Sequence, residues 1–337
     1  MVFPDTQQAV QLLRYPLGAP QTEDFGLTRR PVPKPDAGQV LLRTHTLSVD
    51  PYLRPLLAGR YVVPRPDLGS IVPGQGLARV VHSNHESLAV GEWVVGETGW
   101  CEYGVGDPAK LLRIDPALSP VSTALGVLGI PGLAAWAGLG TIGRPQKGET
   151  VLVSTATGAV GSVAGQLARR AGCRTVGIVG VEDKRRIALD EFGFDACVSY
   201  RSPSFVEDLR TACPDGIDVY FDNVGGEVLE EALSLLRLRA RVVLCGLSSQ
   251  YNQDQRPPGP NLGPVIGARA RLEGLVVYDH LDRFADFQAE VAPLVRSGVL
   301  RYREDMSEGL ERAPQAFVDL MHGRNRGKTL VRVGDLS

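Results

Sequence analysis

Short apolar stretches alternate with glycine- and proline-rich turns over roughly the first 120 residues. Runs of apolar and β-branched residues predict strands at 40–47, 76–81 and 92–96. A cluster of prolines, from Pro31 to Pro35, precedes the first of these strands. Short strands with dense turn signals predict a β-rich, barrel-like domain.

A different pattern begins at residue 124, where an apolar stretch rich in small residues continues to residue 140. This stretch approaches the length of about 18 residues that a membrane-spanning helix needs. It contains Pro131 and five glycines, however, which favour a tightly packed helix pair interrupted at 129–132. The sequence therefore predicts no membrane partner.

Strands and helices alternate regularly in the middle of the chain. The pattern predicts strands at 150–154, 175–179, 196–199, 217–222 and 241–245, and helices at 160–171, 183–192, 205–212 and 227–236. Strands that alternate with helices of about ten residues indicate a parallel sheet that is covered on both faces.

The last third of the chain is less regular. Residues 252–264 carry four prolines and are predicted to form a loop, followed by a sixth strand at 276–278. A helix is predicted at 313–321 and a last strand at 328–333, whose alternation is similar to that of the N-terminal strands. We therefore expect an α/β protein of two domains, one formed by 1–124 and 297–337 and the other by 125–296.

Composition and charge narrow the possible partners. The 36 basic and 38 acidic residues give a formal net charge of −2, which favours neither nucleic acid nor an anionic membrane. The five cysteines are odd in number and include no C-x-x-C pair, as expected for buried thiols in a reducing compartment. The first residues do not resemble a secretory signal, so we expect a cytoplasmic protein.

The most informative stretch is the end of the strand at 150–154, which continues into a tight turn and then a helix. The turn has the pattern A-x-G-x-x-G, formed by Ala156, Thr157, Gly158, Ala159, Val160 and Gly161. Gly158 would let the backbone approach a pyrophosphate, and Gly161 would let the helix pack close to the strand. A helix N-terminus also supplies N–H groups for phosphate, so we predict a dinucleotide site. The alternative is a tight turn without a ligand.

The next strand predicts which dinucleotide is bound. In NAD enzymes an acidic residue at its tip usually binds the ribose hydroxyl. Here the strand ends at Gly180 and Val181 without a carboxylate, and Lys184, Arg185 and Arg186 follow. These cations can bind the 2′-phosphate of NADPH, so we predict NADPH and not NADH as the cofactor. The alternative is that the three cations only form a solvated, charged helix face.

Five spaced motifs resemble the zinc-free medium-chain dehydrogenase/reductase family. They are similar to its leukotriene B4 dehydrogenase and prostaglandin reductase branch, which includes alkenal and curcumin reductases. The motifs lie at 47–54, 129–135, 158–168, 220–226 and 325–329. The resemblance implies a GroES-like β-barrel plus a Rossmann domain, NADPH as cofactor, and a homodimer. It also implies reduction of a carbon–carbon double bond that is conjugated to a carbonyl.

The resemblance also implies roles for individual residues. Lys184 matches the lysine that binds the 2′-phosphate, and Tyr200 a tyrosine at the same end of the cofactor. Asn223 would lie beside the nicotinamide, and Asn325 would contact the cofactor. Residues 245–252 resemble the loop that closes over the nicotinamide, with Cys245, Gly246, Ser248 and Tyr251 as its contacts. Tyr251, Tyr52 and Tyr278 are the candidate catalytic tyrosines.

The zinc ligands of related alcohol dehydrogenases are missing from this sequence. Pro73-Gly74-Gln75-Gly76 stands where those enzymes have Gly-His-Glu, and Cys101 is the only cysteine before residue 170. His82, His85 and Glu86 form a short polar cluster, which we interpret as an exposed turn. We therefore predict no metal site, and without such a Lewis acid double-bond reduction is favoured over alcohol oxidation.

The expected reaction transfers hydride to the β-carbon of an enone or enal, so negative charge develops on the carbonyl oxygen. A tyrosine hydroxyl can donate to that oxygen near neutral pH, although a ribose hydroxyl or water could do the same. A quinone reductase has the same fold and cofactor, and is the first alternative. A non-catalytic NADP-binding protein and a zinc alcohol dehydrogenase are the others.

Overall fold

A computed structural model describes residues 3–117, 120–255 and 257–334. The chain divides into two compact units. The first contains the segment up to Leu125 and the segment from Glu304, and the second extends from Gly126 to Arg303. Each unit is described by itself below.

The strands and helices are numbered in chain order. The strands are β1 Thr6–Leu12, β2 Phe25–Pro31, β3 Val40–Ser48, β4 Gln75–Ser83, β5 Trp93–Glu97, β6 Tyr103–Gly106, β7 Leu112–Ile114, β8 Thr150–Ser154, β9 Arg174–Val179, β10 Ala196–Ser199, β11 Ile217–Asp222, β12 Leu236–Leu244, β13 Arg271–Gly274, β14 Glu304–Glu308 and β15 Lys328–Arg332. The helices are α1 Leu53–Leu57, α2 Ile130–Ala137, α3 Gly161–Arg170, α4 Glu182–Arg186, α5 Phe205–Ala212, α6 Gly226–Leu233, α7 Gly263–Ala268, α8 Phe284–Arg296 and α9 Ala313–Met321.

The first unit is built on a seven-stranded sheet and a separate β1–β2 hairpin. The sheet order is β14-β15-β3-β4-β5-β7, and β6 pairs with β3. Strand β15 runs antiparallel to β3, so the C-terminal strand lies in the sheet of the N-terminal segment. Trp100 is fully buried, and its ring packs 5.7 Å from Phe25 and 6.0 Å from Phe317. These aromatic contacts form the centre of a core that also packs against α1 and α9.

The second unit is a six-stranded, all-parallel sheet in the order β10-β9-β8-β11-β12-β13. Strands β8 and β11 are buried along their whole length, as expected for a parallel sheet with both faces covered. The chain order of the strands reverses between β8 and β11. In open parallel sheets, ligands bind at the carboxyl ends of the strands beside such a reversal. The predicted α/β fold class is confirmed.

The predicted strands and helices agree with the structure except near α2, β12 and β13. Residues 234–236 are not helical, because α6 ends at Leu233, and β12 begins at Leu236, five residues before the predicted strand. The predicted strand at 276–278 is wrong, since Val277–Arg283 forms a 3₁₀ turn and the sixth strand is β13 at Arg271–Gly274. Arg239 has a φ of 63°, which breaks the regular alternation of β12.

The predicted helix pair with an interruption at 129–132 is wrong in its position, because Ile130, Pro131 and Gly132 form the first turn of α2 and the break precedes them. A 3₁₀ turn at Val121–Leu125 precedes α2, which begins at Ile130 and continues into a π-helical turn at Gly138–Gly143. Gly132 lies against the Val127 carbonyl, where a Cβ would be 2.1 Å from the oxygen. Within the described residues, no helix is long and apolar enough to cross a membrane.

Candidate active site

The glycine turn after β8 brings helix α3 against the end of the strand. Strand β8 ends at the fully buried Ser154, and Thr155 has a φ of 55°, a strained conformation for a β-branched residue. The Gly158 N–H donates to the Thr155 carbonyl at 2.8 Å and closes the turn. A Cβ on Gly161 would lie 2.2 Å from that carbonyl oxygen, so only glycine allows this approach.

Ala156 stands where the dinucleotide fingerprint usually has its first glycine, and the neighbouring strand compensates for its methyl group. Ala156 is fully buried, and its N–H donates to the Ile178 carbonyl at 3.1 Å. A Cβ on Gly177 of β9 would lie only 2.7 Å from the Ala156 methyl. The glycine is therefore on the adjacent strand, at Gly177, instead of in the turn, and its missing side chain leaves room for the Ala156 methyl group.

The turn fits a phosphate group. Gly158 has no side chain, and a Cβ there would lie 2.7 Å from the Thr155 methyl. The first turn of α3 contains no acidic residue, whereas Arg169 and Arg170 occupy its last turn. A helix of this length places partial positive charge at its start, which favours an anion. The sequence-predicted residues Ala156, Thr157, Gly158, Ala159, Val160 and Gly161 all lie in this turn and at the start of α3.

A second group of predicted residues lies at the ends of β9 and β10. The Tyr200 ring lies over Gly180, where a Cβ would be 3.1 Å from the ring and from its hydroxyl. The Tyr200 N–H donates to the Val179 carbonyl at 2.9 Å, which holds the backbone of β10 beside β9. Tyr200 is 40% exposed, and the Arg201 guanidinium lies over its ring, 5.6 Å from the centroid.

Helix α4 follows β9 and carries the three predicted cations. Arg185 donates to the Cys197 carbonyl at 2.8 Å and to Glu182 at 3.1 Å, and Arg186 pairs with Asp183 at 2.7 Å. Lys184 precedes both arginines in α4 and is half-buried. Two of the three cations thus contribute to the helix itself.

A buried carboxylate organises the end of β11. Asp222 is fully buried and accepts hydrogen bonds from the Tyr220 hydroxyl at 2.7 Å and the Ser154 hydroxyl at 3.0 Å. It also accepts from the backbone N–H groups of Val224 and Gly225. Burial raises its pKa, and these hydrogen bonds act in the opposite direction. The carboxylate therefore joins β8 to β11 at the point where the strand order reverses.

Asn223 lies directly after this carboxylate and is held by β8. Its backbone N–H donates to the Ser154 hydroxyl and its side-chain amide to the Ser154 carbonyl, both at 2.8 Å. Ser154 and Asp222 were not among the predicted site residues. The signal that could have identified them is their position as the last residues of two buried parallel strands.

The loop after β12 folds back onto Asn223. The Cys245 N–H donates to the Asp222 carbonyl at 2.8 Å, and the Ser248 N–H donates to the Asn223 carbonyl at 3.2 Å. A Cβ on Gly246 would lie 3.3 Å from both the Asn223 carbonyl and the Tyr251 hydroxyl. The structure thus brings together the predicted residues Asn223, Cys245, Gly246, Ser248 and Tyr251.

The Tyr251 hydroxyl is part of this loop. It accepts a hydrogen bond from the Leu247 N–H at 3.3 Å, and the side chain is half-buried. In this bond the phenol uses a lone pair and not its proton.

Burial and the nearby Asp222 raise the pKa of the Cys245 thiol to about 12, so the thiol stays protonated near neutral pH.

Tyr278 lies elsewhere in the second unit. It is on the 3₁₀ turn at Val277–Arg283, after β13, and is 41% exposed. In the Pro-rich loop at 252–264, Arg256 lies outside the described residues, and Gly263 and Pro264 begin helix α7.

Tyr52 belongs to the first unit and precedes α1. Its ring stacks on Tyr61, with centroids 5.5 Å apart and an angle of 29° between the planes. Its hydroxyl donates to the Glu97 carboxylate at the end of β5, at 3.5 Å. Glu97 keeps exposed surface, yet the surrounding protein desolvates its carboxyl enough to raise its pKa. Burial also raises the pKa of Tyr61, with contributions from Glu97 and Asp50. Neither Tyr61 nor Glu97 was predicted, because they lie apart from every motif.

A buried ion pair lies beside these residues. Lys328 is 4% exposed, pairs with the Asp50 carboxylate and donates to the Val49 carbonyl at 3.3 Å. The Ser48 hydroxyl donates to the same carboxylate. Asn325, the predicted cofactor contact of this unit, donates its amide to the Gly327 carbonyl at 2.8 Å.

The polar cluster lies at the end of β4, which contains His82, and in the turn that follows, which contains His85 and Glu86. His82 contacts the Asn84 side chain at 2.9 Å, His85 accepts from the Ser87 N–H at 3.0 Å, and Glu86 is exposed. Within the described ranges, no group of three or more His, Cys, Asp or Glu side chains could hold a metal ion.

Two family models match the chain. Residues 8–114 match the N-terminal domain of oxidoreductase, and residues 159–297 match the zinc-binding dehydrogenase model. The chain is 42% identical over 325 residues to the NADPH-dependent curcumin reductase of Escherichia coli (strain K12), covering 94% of both sequences. It is 38% identical over 340 residues to the NADP(+)-dependent 2-alkenal reductase of Nicotiana tabacum, covering 97% of this chain and 98% of the relative.

A solved structure is also similar to this chain over nearly its whole length. CurA from Vibrio vulnificus, in complex with NADPH, matches with a TM-score of 0.92 and 39% sequence identity. The match covers 97% of this chain and 99% of that protein. With identity of this level over nearly the whole length, the chain belongs to the medium-chain dehydrogenase/reductase family, in the branch of the alkenal and curcumin reductases.

Proposed function

We propose that this protein is an NADPH-dependent reductase of α,β-unsaturated ketones and aldehydes, which delivers hydride to the β-carbon of the conjugated double bond. The observation that carries the proposal is its identity of 42% with a curcumin reductase over 94% of both chains. The small-residue turn before α3 and the absence of a carboxylate at the tip of β9 support NADPH as the reductant.

We assign NADPH to the residues that the sequence predicted. The turn at 156–161 would hold the pyrophosphate, because it offers backbone N–H groups at the start of a helix and no Cβ at Gly158 or Gly161. Gly180, Lys184 and Tyr200 would hold the adenosine end. Asn223 and the loop residues Cys245, Gly246, Ser248 and Tyr251 would hold the nicotinamide end, and Asn325 is a further cofactor contact that the family resemblance implies.

When bound, NADPH supplies the hydride. The protein must then stabilise the negative charge that develops on the substrate's carbonyl oxygen, and a tyrosine hydroxyl is suited to do so. Tyr251, Tyr52 and Tyr278 are the three candidates. Among them, Tyr251 is supported by its position on the loop that packs against Asn223, and Tyr52 by its hydroxyl lying 3.5 Å from the Glu97 carboxylate.

We further propose that the reaction needs no zinc. The segment Pro73–Gly76 carries a glutamine and no histidine or glutamate, and Cys101 is buried with a pKa raised to about 12 by burial. Elemental analysis of active protein should find zinc well below one atom per chain, and stoichiometric zinc would contradict this part of the proposal.

We also propose a homodimer in the cytoplasm. Strand β13 is the last in the sheet order of the described residues, and apolar side chains near it are exposed, among them Leu262, Ile266 and Val276. A second copy could cover such an edge. The five cysteines are free, which agrees with a reducing compartment. Light scattering should give twice the chain mass, and a monomer would contradict the dimer.

An assay with three acceptors tests the function. Purified protein is mixed with NADPH and an alkenone, the matching saturated ketone, or a benzoquinone, and the products are identified by mass spectrometry. We expect the alkenone to give the saturated ketone with its carbonyl intact, and the saturated ketone to give no product. Turnover with the quinone alone would make the protein a quinone reductase. NADPH binding without any turnover would indicate a non-catalytic protein.

A further inference from the structure

The first unit contains a carboxyl group that the family motifs do not include. Glu97 ends β5 and lies within hydrogen-bond reach of Tyr52, a candidate catalytic tyrosine. Tyr52 and Glu97 are 45 residues apart in the chain and are brought together by the sheet of the first unit. The Tyr52 ring is also stacked on Tyr61, which restricts the directions in which its hydroxyl can point.

We propose that Glu97 is a positioning residue that decides whether the Tyr52 hydroxyl donates its proton toward the substrate or toward the protein. The inference rests on the proposed function, because it assumes that Tyr52 contacts the carbonyl oxygen of an enone.

The chemistry of the pair gives this control. An ionised Glu97 can only accept hydrogen bonds, so it takes the Tyr52 proton, and the phenol then offers only lone pairs elsewhere. A protonated Glu97 can donate to the Tyr52 oxygen, and the phenol proton is then available for a carbonyl oxygen. Since charge develops on that oxygen in the transition state, only the second arrangement stabilises it.

The surroundings of Glu97 favour the protonated form more than water does. Desolvation by the neighbouring protein raises the pKa of Glu97, and the Asp50 charge acts in the same direction, whereas the hydrogen bonds from the Gly74 backbone and from Tyr52 itself lower it. The groups that face the pair are Asp50, Tyr61 and, through Asp50, Lys328. Asp50 is held by Lys328 and by the Ser48 hydroxyl, so its partners are already defined. Glu97 is therefore the carboxyl of this cluster that can exchange roles with Tyr52.

The activity that depends on Tyr52 should fall as the pH rises through the pKa of Glu97, because the required proton is lost. For one such group the fall is about tenfold per pH unit. It ends when the donor is fully lost, after a total of roughly 10²–10³ if no other donor replaces it.

The test is the pH profile of kcat for enone reduction in Glu97→Gln. An amide cannot ionise and can donate to the Tyr52 oxygen at every pH, so the fall in activity should disappear, and activity above the wild-type pKa should exceed that of wild type. Glu86→Gln, the same change on an exposed turn of the same unit, should keep the wild-type profile. Tyr52→Phe should lower kcat and also lose the fall, with little change in the KM for NADPH. This variant tests the proposal even if Glu97→Gln does not fold.

The outcomes separate the two proposals. If wild type fails to reduce any enone at any pH, the proposed function is wrong. If wild type reduces enones, but its profile is flat or the fall persists unchanged in Glu97→Gln or Tyr52→Phe, the role of Glu97 is wrong and the proposed function stands.

Discussion

The contact between Ala156 and Gly177 provides a direct test of how the nucleotide turn is built. In Gly177→Ala the new methyl group would lie 2.7 Å from the Ala156 methyl, well inside the usual carbon–carbon contact of about 3.5–4.0 Å. The turn and β9 must then separate by about 1 Å. Overpacking of this kind costs about 1–3 kcal/mol, of which roughly 0.4–1 kcal/mol is regained because alanine restricts the unfolded chain.

The reciprocal change makes the prediction specific. Ala156→Gly alone removes a buried methyl group and adds backbone freedom, with a cost of about 1–2 kcal/mol. In the double variant the methyl group has only changed its position, so the nearest clash is gone. We expect the double variant to be about 1–2 kcal/mol more stable than the sum of the single changes. Compensation stays incomplete, because the new methyl group also lies 3.3 Å from Cys197 and Phe194.

Calorimetric unfolding of wild type, both single variants and the double variant measures this coupling. For a domain of about 150–250 residues, 1 kcal/mol shifts Tm by roughly 2–4 °C. Gly267→Ala is the matched control, because nothing lies within 4 Å of a Cβ at Gly267, and its effect should add to that of Ala156→Gly. NADPH affinity should weaken in Gly177→Ala and recover in the double variant. Strict additivity of the stabilities would refute the compensation argument.

Three further predictions concern single side chains. Lys184→Ala should raise the KM for NADPH and reduce the preference for NADPH over NADH. Arg186→Ala, which breaks a surface ion pair with Asp183, should change neither quantity. Equal effects of the two substitutions would show that Lys184 does not bind the 2′-phosphate. Tyr251→Phe should lower kcat by about 10²-fold or more with a smaller change in NADPH affinity measured by fluorescence, and full activity would exclude Tyr251 as the donor. Lys328→Ala should destabilise the first unit by about 3–5 kcal/mol in thermal unfolding, because it leaves the Asp50 carboxylate without its buried partner; a loss below about 1 kcal/mol would show that water replaces the cation.

Much of the second unit could be predicted from the sequence, because its pattern is local. The strand, turn and helix around Gly158 lie within about 20 consecutive residues, and apolar periodicity and glycine spacing are both visible over that length. Strand β12 starts five residues before the predicted strand. Apolar residues alternate with Arg237, Arg239 and Arg241 from its first residue, as is typical of a strand. The apolar spacing of the preceding helix, however, continues in the sequence to Leu236 and obscures this start.

The candidate site of the first unit could be predicted only in part. Tyr52 belongs to a motif, but Tyr61 and Glu97 do not, and the chain contains nine tyrosines and many carboxylates at similar spacing. What distinguishes Glu97 is the sheet that places it beside Tyr52, and strand register is not readable from such short strands. In the second unit, Asp222 was visible within a motif, but its contacts with Ser154 and Tyr220 depend on the pairing of β8 with β11.

The Tyr52 hydroxyl donates its hydrogen bond, whereas the Tyr251 hydroxyl accepts one. We therefore expect the two hydroxyls to contribute to catalysis over different pH ranges. Tyr251 accepts from the Leu247 N–H, a backbone group that does not titrate, so this hydrogen bond does not change with pH. Tyr52 donates to Glu97, so its proton becomes available only as Glu97 takes one up. If both hydroxyls contribute to reduction, the loss caused by Tyr251→Phe should be greatest at high pH, where Tyr52 no longer compensates. The loss caused by Tyr52→Phe should be greatest at low pH. A pair of variants with parallel pH profiles would show that the two hydroxyls are not controlled in this way.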